Sequence, residues 1–460
     1  DVAVEIANKY HGVAADRQDI RQYPNGAIGE NVVGKVSMDG HGQFGFEAAR
    51  DTELTGIDGQ STEDVSADGQ VIPGTLRDVV DTVDGRDVTL TLDLDLQTYV
   101  QQKLEKAKAN SKASGAEAVV LDAATGQVLA MANTDTVDPN KNVEDQLDEG
   151  KDFENRSVSH PYEPGSVAKV VTAAAALQEG VTTPDEVHPV PGSIDMAGVT
   201  VNDAWEHGTE PYTTTGIFGK SSNVGTLMIA DKLGQEKYAE YLKKFGLGNT
   251  TGIELPNESA GSVPDLEQWS GGTFANLPIG QGQSWTTLQM ASVYQALANG
   301  GERIEPRIID SVKGPDGKDE KLEEPEKNQV VSPETAKTTV DMFRAVSQDD
   351  DAGLQNGTAG NAQLKGYQLS GKTGTAQKVD PNTWAYSNSA YWITFAGIAP
   401  ADDPRFVVAV MLDEPKSGVE DNGGGGQSAA PIFRDIASWL LNRDNIPTSK
   451  PAPRLTLRAQ

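Results

Sequence analysis

The stretch EPGSVAKVVTAAAAL, residues 163–177, decides how the whole chain is interpreted. It opens with a Pro-Gly turn, continues through Ser166 and Lys169, and is otherwise almost entirely apolar. Serine is a favoured N-cap residue, so the simplest prediction is a helix capped by the Ser166 hydroxyl. On that interpretation Lys169 is a stray charge beside a helix start.

Lys169 also allows a chemical interpretation, because it lies one turn from Ser166 on the same helix face and its amine can reach the hydroxyl. Its apolar neighbours and the positive end of the helix dipole both disfavour a charged amine. A lysine that loses its proton near neutral pH can serve as a general base. Backbone N–H groups at the same helix start can stabilise an oxyanion. A single Ser-x-x-Lys spacing is nevertheless weak, since it also arises by chance.

Two distant segments carry residues of the same chemical kind. In GKSSNVGTLMIA, Ser221 and Asn223 precede an apolar helical run. They could cap that helix, or relay a proton and hold a substrate carbonyl or the amine of the first segment. In LSGKTGTAQK, Lys372, Thr373 and Thr375 enter a predicted strand. They could be a charged strand end, or bind a carboxylate where the glycine lets a ligand approach. The glycine spacing of a P-loop is missing.

Composition excludes several classes of function. The 460 residues are too many for one ordinary core, so two domains are expected. The net charge of −30 argues against nucleic acid and anionic membrane surfaces as partners, and is typical of a solubility feature. The chain has no cysteine, which excludes disulfides, thiolate chemistry and cysteine-based metal sites. Its five histidines show no zinc-binding spacing.

The order of the patterns predicts an α+β fold. Residues 1–86 are turn-rich and predict a small, mostly β module. From residue 87 a larger domain extends to about residue 445, and residues 446–460 form a loose tail. GAEAVVLDAATGQVLAMAN predicts a hairpin over 118–121 and 128–132, residues 201–350 are mainly helical, and strand patterns return in the segments YQLSGKTGTAQK, AYWITFAGIAP and FVVAVMLDEP.

The sequence has no apolar run long enough to span a bilayer and no signal-peptide pattern. We therefore expect it to be the excised soluble portion of a longer protein.

Ser-x-x-Lys, Ser-x-Asn and Lys-Thr-Gly, in this order, are the set shared by penicillin-binding proteins and class A β-lactamases. The segments that resemble class B penicillin-binding proteins, especially their septal cell-division type, are NRSVSHPYEPGSVAK, KSSNVG, KTGTAQK, IGQGQSWTTLQMASVYQALANGG and YWITFAGIAP. RQYPNGAIGENVVGKV, DGHGQFGFEAARDTELTGIDG and VTLTLDLDLQ resemble that class's N-terminal pedestal. NVVGKV differs from the usual histidine-containing version of its pedestal motif. The first pedestal motif is not found, so we expect the pedestal to be incomplete in this sequence.

The resemblance implies a transpeptidase domain over 87–445, with an antiparallel sheet flanked by helices and a helical subdomain, following a dimerisation-like pedestal over 1–86. It implies a peptidoglycan D,D-transpeptidase that needs no metal or organic cofactor. Ser166 would attack the penultimate D-Ala of a stem peptide, Lys169 would take its proton, Ser221 would relay the proton to the departing D-Ala, and Asn223 would hold the peptide. Lys372 is implied as a further catalytic residue that, with Thr373 and Thr375, binds the terminal carboxylate. The other implied residues are Gly374 and Gln281 for substrate binding, and the backbone N–H groups of Ser166 and Thr375 as the oxyanion hole.

The partners implied by resemblance are stem peptides, β-lactams and division-machinery membrane proteins, with no nucleic acid. The location implied is extracytoplasmic, on a single-pass membrane anchor that is not in this chain. Other functions remain open. A D,D-carboxypeptidase or β-lactamase of the same fold would let water resolve the acyl-enzyme. A β-lactam sensor would use acylation as a signal, and a scaffold of the division machinery would need no chemistry.

Overall fold

The structure is a computed structural model that describes residues 2–10, 20–67, 69–350, 352–380, 382–416 and 425–459. Parts of the predicted N-terminal module (1, 11–19 and 68) and the last residue of the predicted tail (460) lie outside the described residues. The α-helices, in chain order, are α1 Val2–Lys9, α2 Glu30–Val33, α3 Gly45–Ala49, α4 Asp51–Leu54, α5 Leu94–Ser111, α6 Val143–Asp148, α7 Arg156–Ser159, α8 Lys169–Gln178, α9 Thr214–Gly219, α10 Asn223–Leu233, α11 Gln235–Lys244, α12 Thr287–Ala298, α13 Pro333–Met342 and α14 Ala429–Arg443.

The strands, in chain order, are β1 Lys35–Val36, β2 Gly42–Phe44, β3 Gln60–Thr62, β4 Arg77–Val80, β5 Asp87–Leu90, β6 Gly115–Asp122, β7 Val128–Asn133, β8 Val187–Val190, β9 Ser193–Met196, β10 Val199–Asn202, β11 Glu210–Thr213, β12 Glu302–Ile304, β13 Ile309–Lys313, β14 Lys327–Gln329, β15 Ser370–Val379, β16 Tyr386–Ala399 and β17 Phe406–Asp413. Short 3-10 turns lie at Gly165–Ala168, Leu266–Gln268, Leu277–Ile279, Phe343–Ser347 and Gly360–Ala362.

A five-stranded antiparallel sheet forms the centre of the larger part of the chain. Its strand order is β15-β16-β17-β6-β7, which makes β15 an edge strand. The predicted hairpin is β6 and β7, each slightly longer than the alternation indicated. The predicted α+β class, with an antiparallel sheet assembled from segments far apart in sequence, is confirmed.

Helices cover both faces of this sheet. Phe395 of β16 lies 4.7 Å, ring centroid to centroid, from Phe433 of α14. The preceding residue, Thr394, instead donates a hydrogen bond to the carbonyl of Pro164, just before the Ser166 turn (3.3 Å). Successive residues of a strand point to opposite faces, so α14 covers one face and the segment that leads into α8 lies on the other. β17 is accordingly an almost continuous run of apolar residues, all of them buried, and only its last residue, Asp413, is partly exposed.

Helix α8 runs from the edge of the sheet into the helical part of the fold. Its residues from Lys169 to Ala176 are all buried. It packs against α10, α11 and α13, and its alanines favour a helix while keeping the surface facing these neighbours small. The position of α8 therefore places its first residue, Lys169, between sheet and helices.

The N-terminal part is more helical than the predicted mostly β module. In the described part of residues 1–86, helices α1–α4 accompany two short strand pairs, β1–β2 and β3–β4. Helices α2–α4 have four or five residues, little more than one turn, so no helical periodicity could develop in their sequence. Strand β5, which begins at residue 87, pairs with β13 and therefore packs with the larger domain. The domain boundary at residue 86 stays a prediction.

The interpretation of residues 446–460 as a loose tail needs correction. Leu457 is fully buried, and its carbonyl accepts a hydrogen bond from the backbone N–H of Thr213 (3.0 Å). The backbone N–H of Leu455 donates to the side chain of Gln348 (2.8 Å). These partners lie more than a hundred residues away in sequence, so the local pattern could not indicate them. The prolines and polar residues of the segment predicted a loose tail instead. Across the described residues, we find no helix with both the length and the apolarity to cross a bilayer.

Candidate active site

Ser166 lies in the 3-10 turn that precedes α8, and its side chain does not cap the helix. The capping interpretation is therefore wrong, because the α-helix itself begins only at Lys169. Gly165 has φ +59°, and a Cβ at this position would lie 3.1 Å from the carbonyl oxygen of Thr375. A glycine lets the turn press against the edge strand β15 in a conformation that other residues rarely adopt.

This contact orients the backbone of the edge strand. The carbonyl of Thr375 faces the turn that holds Ser166. In an antiparallel strand the N–H and C=O of one residue point to the same side, so the Thr375 N–H faces that turn as well. At Gly374, a Cβ would lie 2.1 Å from the Thr394 hydroxyl and 2.7 Å from the Pro164 carbonyl. Packing alone accounts for glycine at this position, and its role in substrate binding stays a prediction.

The Lys169 amine is fully buried and bound to the second predicted segment. Its Nζ donates to the Ser221 carbonyl (2.7 Å) and to Asn223 Oδ1 (2.7 Å), and lies 3.2 Å from Ser221 Oγ. No hydrogen bond joins it to the Ser166 hydroxyl, both being described residues, because the other segment engages the amine. Burial lowers the pKa of Lys169 to about 7, against an opposing contribution from the Asp203 carboxylate. The amine thus has the proton affinity of a general base near neutral pH.

The Ser221 hydroxyl lies between two lysines. Its Oγ is 3.2 Å from Lys169 Nζ and 2.9 Å from Lys372 Nζ. Ser221 has φ +63°, a left-handed conformation that costs a non-glycine residue about 1–2 kcal/mol. It is the next residue, Ser222, that caps α10, by accepting from the Gly225 N–H (2.8 Å). The hydroxyl of Ser221 is therefore available to the two amines.

Asn223 is held at both ends of its side-chain amide. Its Oδ1 accepts from Lys169, and its Nδ2 donates to the carbonyl of Asn202 (3.1 Å). Asn223 is also the first residue of α10, so its backbone is set by the start of that helix. Of its two predicted roles, contact with the Lys169 amine is the one seen in this structure.

Lys372 and Thr373 are buried in β15, whereas Thr375 is exposed. Lys372 Nζ donates to Ser221 Oγ and to the carbonyl of Thr373 (3.0 Å). Burial, followed by the positive charge of Lys169, lowers the pKa of Lys372 well below its usual range. The Thr373 hydroxyl shares a hydrogen bond of 2.8 Å with Thr358. Of the three predicted carboxylate ligands, only Thr375 presents its side chain openly at this surface.

The turn that contains Gln281 borders the Ser166 turn. The N–H of Gly165 donates to the Gly280 carbonyl (3.1 Å), and the N–H of Gly282 donates to Glu163 Oε1 (3.0 Å). The same oxygen accepts from the hydroxyl of Tyr386 at the start of β16 (3.0 Å). Glu163 therefore joins the Gln281 turn and β16 to the chain three residues before the candidate nucleophile.

Sequence reasoning missed several residues that shape this site, namely Asp203, His207, Thr358, Glu163 and Tyr386. Asp203 is the most connected of them, since it accepts from Ser222 Oγ (2.7 Å) and from the backbone N–H groups of Asn223 (2.6 Å) and Val224 (3.0 Å). Its only sequence signal is an acid after a short strand, twenty residues before the motif it supports. In the part of the chain that the structure covers, no group of three or more His, Asp or Glu is arranged to hold a metal ion.

The assembled groups suit acyl transfer through a covalent serine intermediate. Ser166 lies beside a strand edge that offers backbone N–H groups. Lys169, three residues further along the chain, supplies a buried amine of lowered pKa. A second hydroxyl connects that amine to another lysine.

Comparisons with known proteins agree with this chemistry. Residues 116–438 match the family described as the penicillin binding protein transpeptidase domain, and residues 3–90 match the penicillin-binding protein dimerisation domain. The chain belongs to the penicillin-binding protein transpeptidase family. The resemblance inferred from the three motifs is thereby confirmed.

Penicillin-binding protein PbpB of Mycolicibacterium smegmatis is 54% identical over 459 residues, which cover 100% of this chain and 70% of the relative. Peptidoglycan D,D-transpeptidase FtsI of Escherichia coli K12 is 32% identical, over 95% of this chain and 70% of the relative. Among solved structures, penicillin binding protein 3 of Mycobacterium tuberculosis in complex with ampicillin superposes with a TM-score of 0.89 and 52% identity, covering 97% of this chain and 94% of that chain.

Proposed function

We propose that this protein is a peptidoglycan D,D-transpeptidase of the septal cell-division type, acting through an acyl-enzyme on Ser166. The observation that carries the proposal is the buried Lys169 amine, with its pKa lowered to about 7, in contact with Ser221 and Asn223. The names of the relatives, FtsI and PbpB, support the same activity and the septal type.

In the acylation step, Ser166 Oγ attacks the carbonyl carbon of the penultimate D-Ala in a stem peptide, and its proton passes to neutral Lys169. The amine turns from its present partners toward Ser166 for this transfer. The negative oxygen of the tetrahedral intermediate is stabilised by the backbone N–H groups of Ser166 and Thr375, which lie on facing segments.

The leaving D-Ala needs a proton on its amine as the peptide bond breaks. Ser221 is placed for this relay, because its hydroxyl contacts Lys169 and can pass on the proton taken from Ser166. Lys372 acts on the same hydroxyl from the other side. The terminal carboxylate binds at Thr375, with Thr373, Gly374 and Lys372 behind it, and the peptide lies along Asn223 and Gln281.

An amine of a neighbouring stem peptide then attacks the ester carbonyl and releases Ser166, forming the crosslink. β-Lactams present a similar carbonyl and carboxylate, and acylate Ser166 without ready release. The solved relative in complex with ampicillin is consistent with this assignment. We further propose that the protein acts outside the cytoplasmic membrane on a membrane anchor, and that its N-terminal module binds membrane proteins of the division machinery.

The proposal is tested with a D-Ala-D-Ala-terminated stem pentapeptide donor and a second stem peptide carrying a free side-chain amine. The expected product is the crosslinked dimer with release of one D-Ala, lost in Ser166→Ala. Release of D-Ala without any dimer would identify a D,D-carboxypeptidase. Inertness toward the donor, with a stable penicillin adduct, would favour the β-lactam sensor.

A further inference from the structure

The carboxylate of Asp203 is the hub of a buried cluster beside the Ser221–Asn223 segment. Its side chain has no exposed surface. Oδ1 accepts from the backbone N–H groups of Asn223 (2.6 Å) and Val224 (3.0 Å). Oδ2 accepts from Ser222 Oγ (2.7 Å) and faces Nε2 of His207 (2.9 Å). Four donors surround one carboxylate, which satisfies its acceptor capacity.

The ring of His207 has a polar partner on each side. Its Nε2 faces the Asp203 carboxylate (2.9 Å), and its Nδ1 faces the carbonyl of Gly208 (2.7 Å). These two contacts fix the position of the ring behind the carboxylate. The His207 side chain is only 6% exposed, stacked on Trp205 (5.1 Å) and against the edge of Tyr212 (6.0 Å). The cluster is thus a buried, hydrogen-bonded Asp203–His207 pair.

Asp203 acts on the candidate base, Lys169, in two ways. Asp203 fixes the backbone of Asn223, whose Oδ1 accepts from Lys169 Nζ, while Asn223 Nδ2 donates to Asn202, the residue before Asp203. The negative charge of Asp203 raises the pKa of Lys169, against the larger lowering by burial. Lys372 of β15 is the other ionisable group near this amine, on the far side of the Ser221 hydroxyl, and the direct contacts of the amine, Ser221 and Asn223, are neutral.

A purely structural role for Asp203 would be to cap α10. Ser222 already supplies a side-chain cap for that helix, through the Gly225 N–H. The cap does not explain the buried imidazole ring of His207 behind the carboxylate, which contacts Asp203 Oδ2 and not the helix. The arrangement is instead that of a charge held at a fixed place next to a reactive amine.

We propose that Asp203 and His207 are positioning residues for the acylation of Ser166, with Asp203 holding Asn223 against Lys169 and His207 holding the Asp203 carboxylate in place. This inference rests on the proposed function and adds to it the residues that position the general base, Lys169.

The test is the pH profile of acylation by a fluorescent penicillin, measured with the intact protein from pH 5.5 to 9.5. Asp203→Asn removes the negative charge, so the Lys169 ammonium is less favoured and the midpoint moves to lower pH by about half a unit or more. The rate plateau falls about tenfold, because two backbone donors lose a charged acceptor. Glu206→Gln is the matched control, since it removes an exposed charge from the same loop, and both quantities stay at wild-type values.

His207→Gln is the second variant and keeps the Asp203 carboxylate. The ring that holds the carboxylate is lost, so the rate plateau is expected to fall, whereas the midpoint stays close to wild type because the Asp203 charge remains. An Asp203→Asn variant with the wild-type midpoint, or a His207→Gln variant with the wild-type rate, would overturn the proposal. A wild-type protein that is not acylated at all would refute the proposed function itself, which these variants do not test.

Discussion

Lys169 and Lys372 meet at one hydroxyl, since their Nζ atoms lie 3.2 and 2.9 Å from Ser221 Oγ. Both side chains are fully buried. Two ammonium groups at such a place would repel each other with little solvent to screen them, and the charge of Lys169 contributes to the lowered pKa of Lys372. The arrangement therefore favours fewer than two charges on the pair, and it gives a proton a path through the hydroxyl.

The first prediction concerns the pH dependence of acylation. Lys169 must be neutral to accept the Ser166 proton, and its pKa is lowered to about 7. The acylation rate with penicillin is expected to rise with pH, with a midpoint near 7, and to level off above it. Stopped-flow fluorescence measures this profile. A rate that falls as the pH rises through this range would show that the ammonium form is the active one.

The second prediction concerns stability and uses the same lysine. An unfolded lysine keeps its proton up to about pH 10.4, whereas folded Lys169 loses it near 7. Between these values the unfolded state binds one more proton, so the free energy of unfolding rises with pH, by up to about 1.4 kcal/mol per unit from this group. In Lys169→Met this contribution is absent.

Urea unfolding of wild type and Lys169→Met between pH 7 and 10 provides the measurement. The wild type is expected to gain stability relative to the variant across this window. Lys243→Met, whose side chain is 68% exposed, is the control and keeps a constant difference from wild type. Parallel curves for wild type and Lys169→Met would contradict the low pKa.

The third prediction separates the two properties of Ser221. Ser221→Ala removes the hydroxyl and keeps a left-handed residue with a side chain, so acylation is expected to fall by about a hundredfold, typical of a lost proton relay. Ser221→Gly should lose the same activity but gain about 1 kcal/mol of stability, since glycine adopts φ +63° freely. Acylation kinetics and urea unfolding of both variants test this, and a glycine variant with activity near wild type would exclude the relay.

The fourth prediction concerns Glu163, which accepts hydrogen bonds from Tyr386 and from the Gly282 N–H. Glu163→Ala leaves both donors without this partner and is expected to slow acylation about tenfold. Glu163→Gln keeps an acceptor oxygen and should remain close to wild type, because burial raises the pKa of Glu163 and an uncharged group is tolerated there. Equal losses in both variants would show that the charge, and not the connection, matters.

The three motifs predicted the family and the chemistry because their residue types are those the reaction needs, whatever the path of the chain between them. Their geometry was less accessible. The contact of Lys169 with Ser221 and Asn223 joins positions more than fifty residues apart and depends on a positive φ at Ser221, which is not a usual conformation for serine. The sequence pattern favoured Ser166 as a cap, whereas the structure has a 3-10 turn there, with Gly165 packed closely against the edge strand.

Other features left no local signal. Asp203 supports α10 from a loop twenty residues earlier, and a single acid in a polar loop is ordinary in any sequence. Leu457 is buried against a distant segment, so the prolines around it suggested a loose end. In both cases contacts between residues far apart in sequence determine the structure, and the neighbouring residues in the chain do not predict them.

The central claim is that Ser166 is the acylated nucleophile, and intact-mass spectrometry after incubation with a penicillin tests it most directly. The account predicts one persistent adduct of the mass of the drug, located on Ser166 by peptide mapping, absent from Ser166→Ala and retained in the control Ser438→Ala on α14. Rapid return to the native mass with hydrolysed drug would identify a β-lactamase. An unmodified wild-type protein, or an adduct that persists in Ser166→Ala, would contradict the account.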